Sequence, residues 1–125
     1  MEKYNKIIGD TGEDIAVEYL KKNRYKILET KFTAGKGEID IIALKKGVTV
    51  FIEVKTRSGR QYGEAAEAVT YKKQRKIIET ATRYIIEKNP KTAFRFDVIE
   101  VYGKLVLGEF CFEKIEHIEN AFGVN

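Results

Sequence analysis

The chain has 125 residues, of which 43% are apolar and 34% are charged, and its formal net charge is +4. This length predicts a single domain, residues 1–125, and no run approaches the ~18 consecutive apolar residues that a membrane span needs. The N-terminal segment lacks the apolar centre of a signal peptide. The single cysteine, Cys111, cannot form an internal disulfide, which fits a reducing compartment. We therefore expect a soluble cytoplasmic protein without a membrane partner.

Periodicity along the chain predicts a layered α/β fold. A helix is predicted from Asp10 to Asn23, because Asp10 and Glu13 can cap free backbone amides ahead of an apolar stripe. Strands are predicted in YKILETKF and in both halves of GEIDIIALKKGVTVFIEVKTR, residues 37–57, and a second helix ends at Asn89. Two strands then lead to EKIEHIENAF, predicted as a short terminal helix. The order α-β-β-β-α-β-β-α predicts helices flanking a central mixed five-stranded sheet.

The stretch at residues 37–57 is expected to form an antiparallel hairpin, because Lys46-Gly47 is a turn signal. If Lys45 faces Val48, Asp40 lies opposite Glu53. Glu38 then lies opposite Lys55. The other face of the hairpin is entirely apolar and is expected to face the core, and it holds Ile39, Ile41, Ala43, Val50, Ile52 and Val54.

The charged face of this hairpin suggests chemistry. Asp40 and Glu53 would have Cβ atoms roughly 5 Å apart, and like charges opposite each other destabilise a sheet. A divalent cation such as Mg²⁺ could hold both carboxylates, while Lys55 could orient a water or stabilise phosphate charge. The alternative is an ordinary solvent-facing arrangement, in which Glu38 and Asp40 form cross-strand ion pairs with Lys55 and a neighbouring cation.

The positive excess of the chain lies in one window. From Lys55 to Lys76 there are seven basic residues against two acidic ones. Clustered cations interleaved with aromatic rings suit a nucleic acid, although a solvated basic helix face would look the same. The residues expected to contact nucleic acid are Arg57, Arg60, Tyr62, Lys72, Lys73, Arg75 and Lys76.

Several ordered motifs resemble one family. GEIDIIA followed by VFIEVKTR, with Gly12-Glu13 before them and VTYKKQRK and RFDV after them, is similar to the YraN-like family of bacterial endonuclease-like proteins. That family is similar to archaeal Holliday junction resolvases, whose restriction-endonuclease-like fold carries an Asp, a spacer, and then Asp or Glu, any residue, Lys. The resemblance covers nearly the whole chain, from Gly9 to about Val101, and implies a restriction-endonuclease-like sandwich.

Residue by residue, the resemblance implies that Asp40 and Glu53 hold Mg²⁺ or Mn²⁺ and that Lys55 is catalytic. Glu13 either completes the metal site or caps the first helix with Asp10. Gln74 matches the family's second-helix motif and is expected to face inward as part of the catalytic site. Lys73 is either part of this second-helix motif or a plain surface cation.

The resemblance implies a metal-dependent endonuclease acting on duplex or branched DNA in repair or recombination, and it leaves a homodimer open. Two other classes stay open: a nucleic-acid-binding module with an inactive site, and a protein-interaction domain whose charges only specify sheet register. Asp97 is expected to be structural. His117 is expected to be solvated or capping, and Cys111 is expected to be a buried small hydrophobe.

Overall fold

The structure is a computed structural model that describes residues 2–58 and 69–123. Its elements in chain order are α1 (Glu2–Lys22), β1 (Lys26–Ala34), β2 (Gly37–Lys45), β3 (Val48–Arg57), α2 (Tyr71–Lys88), β4 (Ala93–Val106) and β5 (Glu109–Phe122). The strands form one sheet in the order β1-β2-β3-β4-β5, in which β3 and β4 run parallel and the other neighbours antiparallel. This confirms the predicted α/β class with a mixed five-stranded sheet, and it is consistent with a restriction-endonuclease-like fold.

The β2–β3 hairpin lies at the centre of the sheet and has the predicted register. Its turn consists of Lys46 and Gly47, with φ values of 48° and 77°. Two residues with positive φ form the tight turn whose twist matches that of the flanking strands. The ladder runs from the pair Lys45–Val48 to the pair Ile41–Ile52, as the alternation predicts.

Both faces of this hairpin are buried, whereas the sequence predicted one core face. Ile41 and Ile52 pack with α1, while Ile42 and Phe51 pack with α2 on the opposite face. Ile39 was predicted on the same face as Ile41, but it packs on the opposite face, in the cluster of Ile42 and Phe51 under α2. The connection from β3 to the parallel strand β4 includes α2, which therefore covers one face while α1 covers the other.

Helix α1 is longer than predicted. It begins at Glu2 rather than Asp10, because Tyr4, Ile7 and Ile8 extend the helical spacing of apolar residues toward the N-terminus. Asp10 is therefore an interior residue and not a helix cap. A Cβ atom at Gly12 would lie 2.0 Å from Thr56 Oγ1, so this glycine lets α1 lie close against β3. No helix in the described part of the chain combines the length and apolar character needed to cross a membrane.

The predicted terminal helix is wrong, because EKIEHIENAF forms part of β5. Ile115 and His117 alternate inward along this segment and are partly buried, with exposed residues between them. The backbone of this segment pairs with β4 in an antiparallel ladder. The ladder runs from the pair Phe96–Phe122 to the pair Val106–Glu109. Cys111, expected to be buried, is exposed on the same strand.

His117 is also not solvated, because it belongs to a buried network around Asp97. Asp97 is 0% exposed, and its carboxylate accepts hydrogen bonds from Arg95 at 2.9 and 3.0 Å and from the Asn120 amide at 2.9 Å. His117 Nε2 lies 2.7 Å from Asp97 Oδ2, and its Nδ1 lies 3.0 Å from the Tyr19 hydroxyl. Burial raises the pKa of Asp97, but the hydrogen bonds from His117, Arg95 and Asn120 outweigh it and bring the pKa below its usual value. The network ties β4 and β5 to α1, which confirms a structural role for Asp97.

Replacing Asp97 with Asn should destabilise the fold strongly, because it removes the buried carboxylate that holds Arg95 and His117 and leaves Arg95 only its exposed carboxylate partner Glu119. We expect the free energy of unfolding to fall by about 3 kcal/mol, measured by urea denaturation near neutral pH. Glu109→Gln is the matched control, an exposed acidic residue on the same pair of strands, and should change the free energy by less than about 0.5 kcal/mol. A similar small effect for Asp97→Asn would contradict the structural role.

Candidate functional site

The candidate site lies where β2 and β3 part. Their ladder ends at Ile41–Ile52, and beyond it the Val54 amide donates a 2.8 Å hydrogen bond to the Asp40 carboxylate. Asp40 is thus held by a backbone donor of β3 rather than by a regular strand pair. Glu38, expected opposite Lys55, pairs with Thr33 of β1 instead.

Asp40 and Glu53 come together as predicted from the hairpin. Glu53 is only 6% exposed, and the two carboxyl groups share a hydrogen bond. Burial, the charge of Glu53 and this hydrogen bond raise the pKa of Asp40 to about 7, although the Val54 amide and the charge of Lys73 oppose the rise. Near neutral pH the pair therefore retains a proton in part of the molecules, which relieves the repulsion of two adjacent carboxylates.

Two ammonium groups flank Glu53. Lys73 Nζ lies 3.4 Å and Lys55 Nζ 3.9 Å from Glu53 Oε2. Lys55 is on β3, two residues beyond Glu53, as the alternation predicts. Lys73 enters from the first turn of α2, where Thr70 accepts a hydrogen bond from the Lys73 amide and fixes the start of the helix. Of the two roles considered for Lys73, the structure places it at the site.

Glu13 is near this pair but is held by another residue. Lys31 donates to Glu13 at 2.9 Å and to Asp10 at 3.1 Å. Burial raises the pKa of Glu13 against the hydrogen bond from Lys31, and the charge of Asp40 adds to the rise. Across the described ranges, however, no three His, Cys, Asp or Glu side chains are grouped closely enough to hold a metal ion together. The structure thus joins Asp40 to Glu53 and leaves Glu13 in an adjacent ion pair.

Gln74 is half-buried at the start of α2, as the inward orientation requires. Its Nε2 donates a 2.8 Å hydrogen bond to the Val69 carbonyl, and its backbone amide donates to the Thr70 carbonyl. These bonds fix the chain just before Lys73. The observed contacts of Gln74 therefore position the helix start rather than reach Asp40 or Glu53.

The residues expected to contact nucleic acid fall into separate environments. Arg57 is only 12% exposed and pairs with the buried Glu100 at 3.4 Å, so its guanidinium is directed into the protein. Lys72, Arg75 and Lys76 are exposed on α2. Arg60 and Tyr62 lie outside the described residues. The basic surface that the structure shows is therefore the exposed side of α2.

The donor set fits a hard divalent cation. Two carboxyl groups in contact can supply oxygen ligands, and Mg²⁺ is usually bound by one or two carboxylates with water or substrate phosphate in the remaining positions. The raised pKa of Asp40 means that such an ion would displace a proton. Glu13 would become a third ligand only by leaving Lys31.

Sequence reasoning missed Lys31 at this site. Lys31 has φ 52° in the middle of β1, at a position between the pairs Thr30–Ile41 and Phe32–Ile39 and therefore level with Asp40. Positive φ is uncommon for residues other than glycine, and a lysine in a strand does not indicate it, so this conformation could not be predicted from the residue type. The sequence shows Leu28 and Phe32 as apolar positions of this strand, and both pack against the buried residues under α2. It does not show the turn of the backbone between them.

The chain is similar to known bacterial proteins over nearly its full length. The model described as "Uncharacterised protein family UPF0102" matches residues 12–101. A UPF0102 protein of Caldanaerobacter subterraneus subsp. tengcongensis is 49% identical over 124 residues, which cover 98% of this chain and 100% of the relative. UPF0102 proteins of Clostridium beijerinckii and Clostridium botulinum are 47% and 48% identical over 126 residues, covering 100% and 99% of this chain and 100% of each relative.

The raised pKa of Asp40 predicts a pH dependence of stability. Because the folded pKa is about 7 and the unfolded one 3.8, protonated Asp40 stabilises the metal-free fold fully below about pH 4, and this contribution is lost as the pH rises through about 7. The asparagine of Asp40→Asn is neutral at every pH, so the variant should keep this stabilising contribution as the pH rises. Unfolding measured from pH 4 to pH 8 should show the variant gaining roughly 1–3 kcal/mol on wild type.

Asp14→Asn is the control for this comparison, since Asp14 is an exposed acidic residue on α1. Its difference from wild type should stay within about 0.5 kcal/mol at each pH. A difference between Asp40→Asn and wild type that does not change with pH would show that Asp40 is not held protonated by the fold.

Proposed function

The chain belongs to the uncharacterised protein family UPF0102, and we propose that it is a metal-dependent endonuclease that hydrolyses phosphodiester bonds in duplex or branched DNA. Membership confirms the resemblance to the YraN-like family that the sequence motifs indicate. One observation carries the proposal: the pair Asp40–Glu53, in which Glu53 is buried and Asp40 is half-buried, has two lysine ammonium groups 3.4 and 3.9 Å from Glu53. Two carboxyl groups beside two cations are the parts that phosphodiester hydrolysis needs.

The carboxyl pair supports a metal site because its geometry is costly without one. Asp40 and Glu53 are adjacent and largely withdrawn from water, and a buried like-charge pair destabilises a fold unless a proton or a cation neutralises it. The Val54 amide and the paired strands hold both side chains in place before any ion binds. When bound, Mg²⁺ or Mn²⁺ would supply positive charge that polarises a phosphate and activates a water.

Lys55 is the proposed catalytic lysine. Its side chain is about one-third exposed and its ammonium group lies 3.9 Å from Glu53, so it can face both the carboxyl pair and a phosphate arriving from solvent. There it can stabilise the negative charge that develops on the phosphoryl oxygens as water attacks. Lys73 is placed to bind the same phosphate from the α2 side and to hold Glu53 in its orientation.

The second candidate function is a nucleic-acid-binding module without catalytic activity. It is favoured by the two ammonium groups beside Glu53, because Lys55 and Lys73 offset part of the negative charge that a metal ion would otherwise balance. In that case the basic surface of α2 would still bind phosphates. The two candidates therefore predict the same DNA binding and differ only in hydrolysis.

The proposed setting is the bacterial cytoplasm, in repair or recombination. If the substrate is a four-way junction, two symmetry-related bonds must be cut, and a homodimer would present two sites to them. Cleavage of linear or nicked DNA does not require two symmetry-related sites. The substrate assay therefore bears on the oligomeric state as well.

The proposal is tested by incubating purified wild type with labelled linear, nicked, flap and four-way DNA. We expect cleavage of at least one of these in Mg²⁺ or Mn²⁺, none in a chelator, and none by Asp40→Asn, because hydrolysis requires the carboxyl pair and its ion. Gel electrophoresis of the products identifies the preferred structure. Binding without cleavage under every metal would favour the inactive module instead.

Lys55→Ala should separate chemistry from binding. The lysine acts on charge that develops in the transition state, so its loss should slow the single-turnover rate by about 10²-fold or more while metal and DNA affinities stay close to wild type. Lys91→Ala, at an exposed lysine after α2, is the control and should cleave normally. If Lys73→Ala slows cleavage and Lys55→Ala does not, the catalytic role belongs to Lys73.

A further inference from the structure

We propose that the cleft between the β1–β2 turn and helix α2 binds a backbone phosphate of the nucleic acid, a few nucleotides from the bond that is cut. This inference rests on the proposed function, because it names a second contact on the same substrate. The cleft has a volume of about 280 Å³. Its lining includes Gly35, Lys36, Gly37, Lys76, Thr80 and Arg83.

Two glycines set the shape of this cleft. Gly37 begins β2 so close to α2 that a Cβ atom there would lie 1.9 Å from Thr80 Oγ1. Gly35 has φ 60°, and a Cβ atom there would lie 3.5 Å from the Arg83 guanidinium carbon. The turn therefore approaches the helix along bare backbone, which leaves the long side chains of Lys36, Lys76 and Arg83 to form the rim.

The rim carries three cationic side chains that have no carboxylate partner among the described residues. Lys36, Lys76 and Arg83 are exposed, and within residues 2–58 and 69–123 none of them forms an ion pair. Glu79 is the one acidic residue of the lining. By contrast, the lysines and arginines nearest the carboxyl pair and the buried network have carboxylate partners. Three cations around one cleft, with no ion pair in the described part of the chain, attract a polyanion in preference to a neutral ligand.

The cleft is placed to continue the phosphate path that starts at the candidate site. Gly37 and Asp40 are three residues apart on β2, which is about 10 Å along a strand. On α2, Lys73, Lys76 and Arg83 follow one another on one side of the helix, and the ten residues from Lys73 to Arg83 rise about 15 Å. A DNA strand presents a phosphate about every 3.4 Å of helix axis, so a bound strand can reach both places.

The test is metal-free binding of labelled duplex DNA by the double variant Lys36→Ala, Arg83→Ala at several salt concentrations. For each phosphate that the variant no longer neutralises, the plot of log affinity against log salt should become shallower by about 0.9, and affinity at 0.1 M salt should fall about tenfold. The control Lys21→Ala, Lys88→Ala removes two exposed cations from the last turns of α1 and α2 and should keep the wild-type slope. Thermal unfolding should confirm that all three proteins are folded.

The outcomes distinguish this inference from the proposed nuclease activity. If wild type binds DNA and the cleft variant keeps its slope, the cleft inference is overturned and the nuclease proposal stands. If wild type binds with a slope that depends on the cleft but never cleaves, the cleft inference stands and the nuclease proposal fails. If wild type binds no DNA at low salt, both fail.

Discussion

The β2–β3 hairpin is covered by a helix on each face, and this double burial is the constraint on which the site depends. A charged side chain in the middle of such a hairpin would lose its water on both sides, which costs several kcal/mol unless it is paired. Ile41, Ile42, Phe51 and Ile52 occupy that middle. Asp40 and Glu53 lie one step beyond the last ladder pair, where the strands part and lysine side chains can reach them.

The parting of the strands links the fold to the chemistry. The Val54 amide lies beyond the β2–β3 ladder and donates a hydrogen bond to Asp40. On β1, Lys31 has a positive φ, and its ammonium group donates a hydrogen bond to Glu13. Glycine at position 12 lets α1 approach β3, while the start of α2 carries Lys73 to Glu53. The carboxyl groups of β2 and β3 thus meet the ammonium groups of Lys55 on β3 and Lys73 on α2. The arrangement orients the groups in advance, so little reorganisation is required when a phosphate binds.

The centre of the fold could be predicted from the sequence because its signals are local. Alternating apolar residues and the Lys46-Gly47 turn determine the hairpin register, and the register brings Asp40 to Glu53. The remaining features depend on contacts distant in sequence. EKIEHIENAF has helical spacing, but pairing with β4 and the contact of His117 with Asp97 make it a strand. Likewise, the pairs Lys31–Glu13 and Arg57–Glu100 join residues 18 and 43 positions apart, and no sequence pattern predicts them.

Calorimetric titration of Mn²⁺ into the purified protein measures whether the Asp40–Glu53 pair holds a divalent cation. We expect wild type to bind Mn²⁺ and the affinity to be weakened at least tenfold in both Asp40→Asn and Glu53→Gln, since each amide removes one of two anionic ligands. Asp14→Asn should bind as wild type does. Glu13→Gln should have a smaller effect, because Glu13 is paired with Lys31. Equal Mn²⁺ affinity in wild type, Asp40→Asn and Glu53→Gln would contradict the metal site.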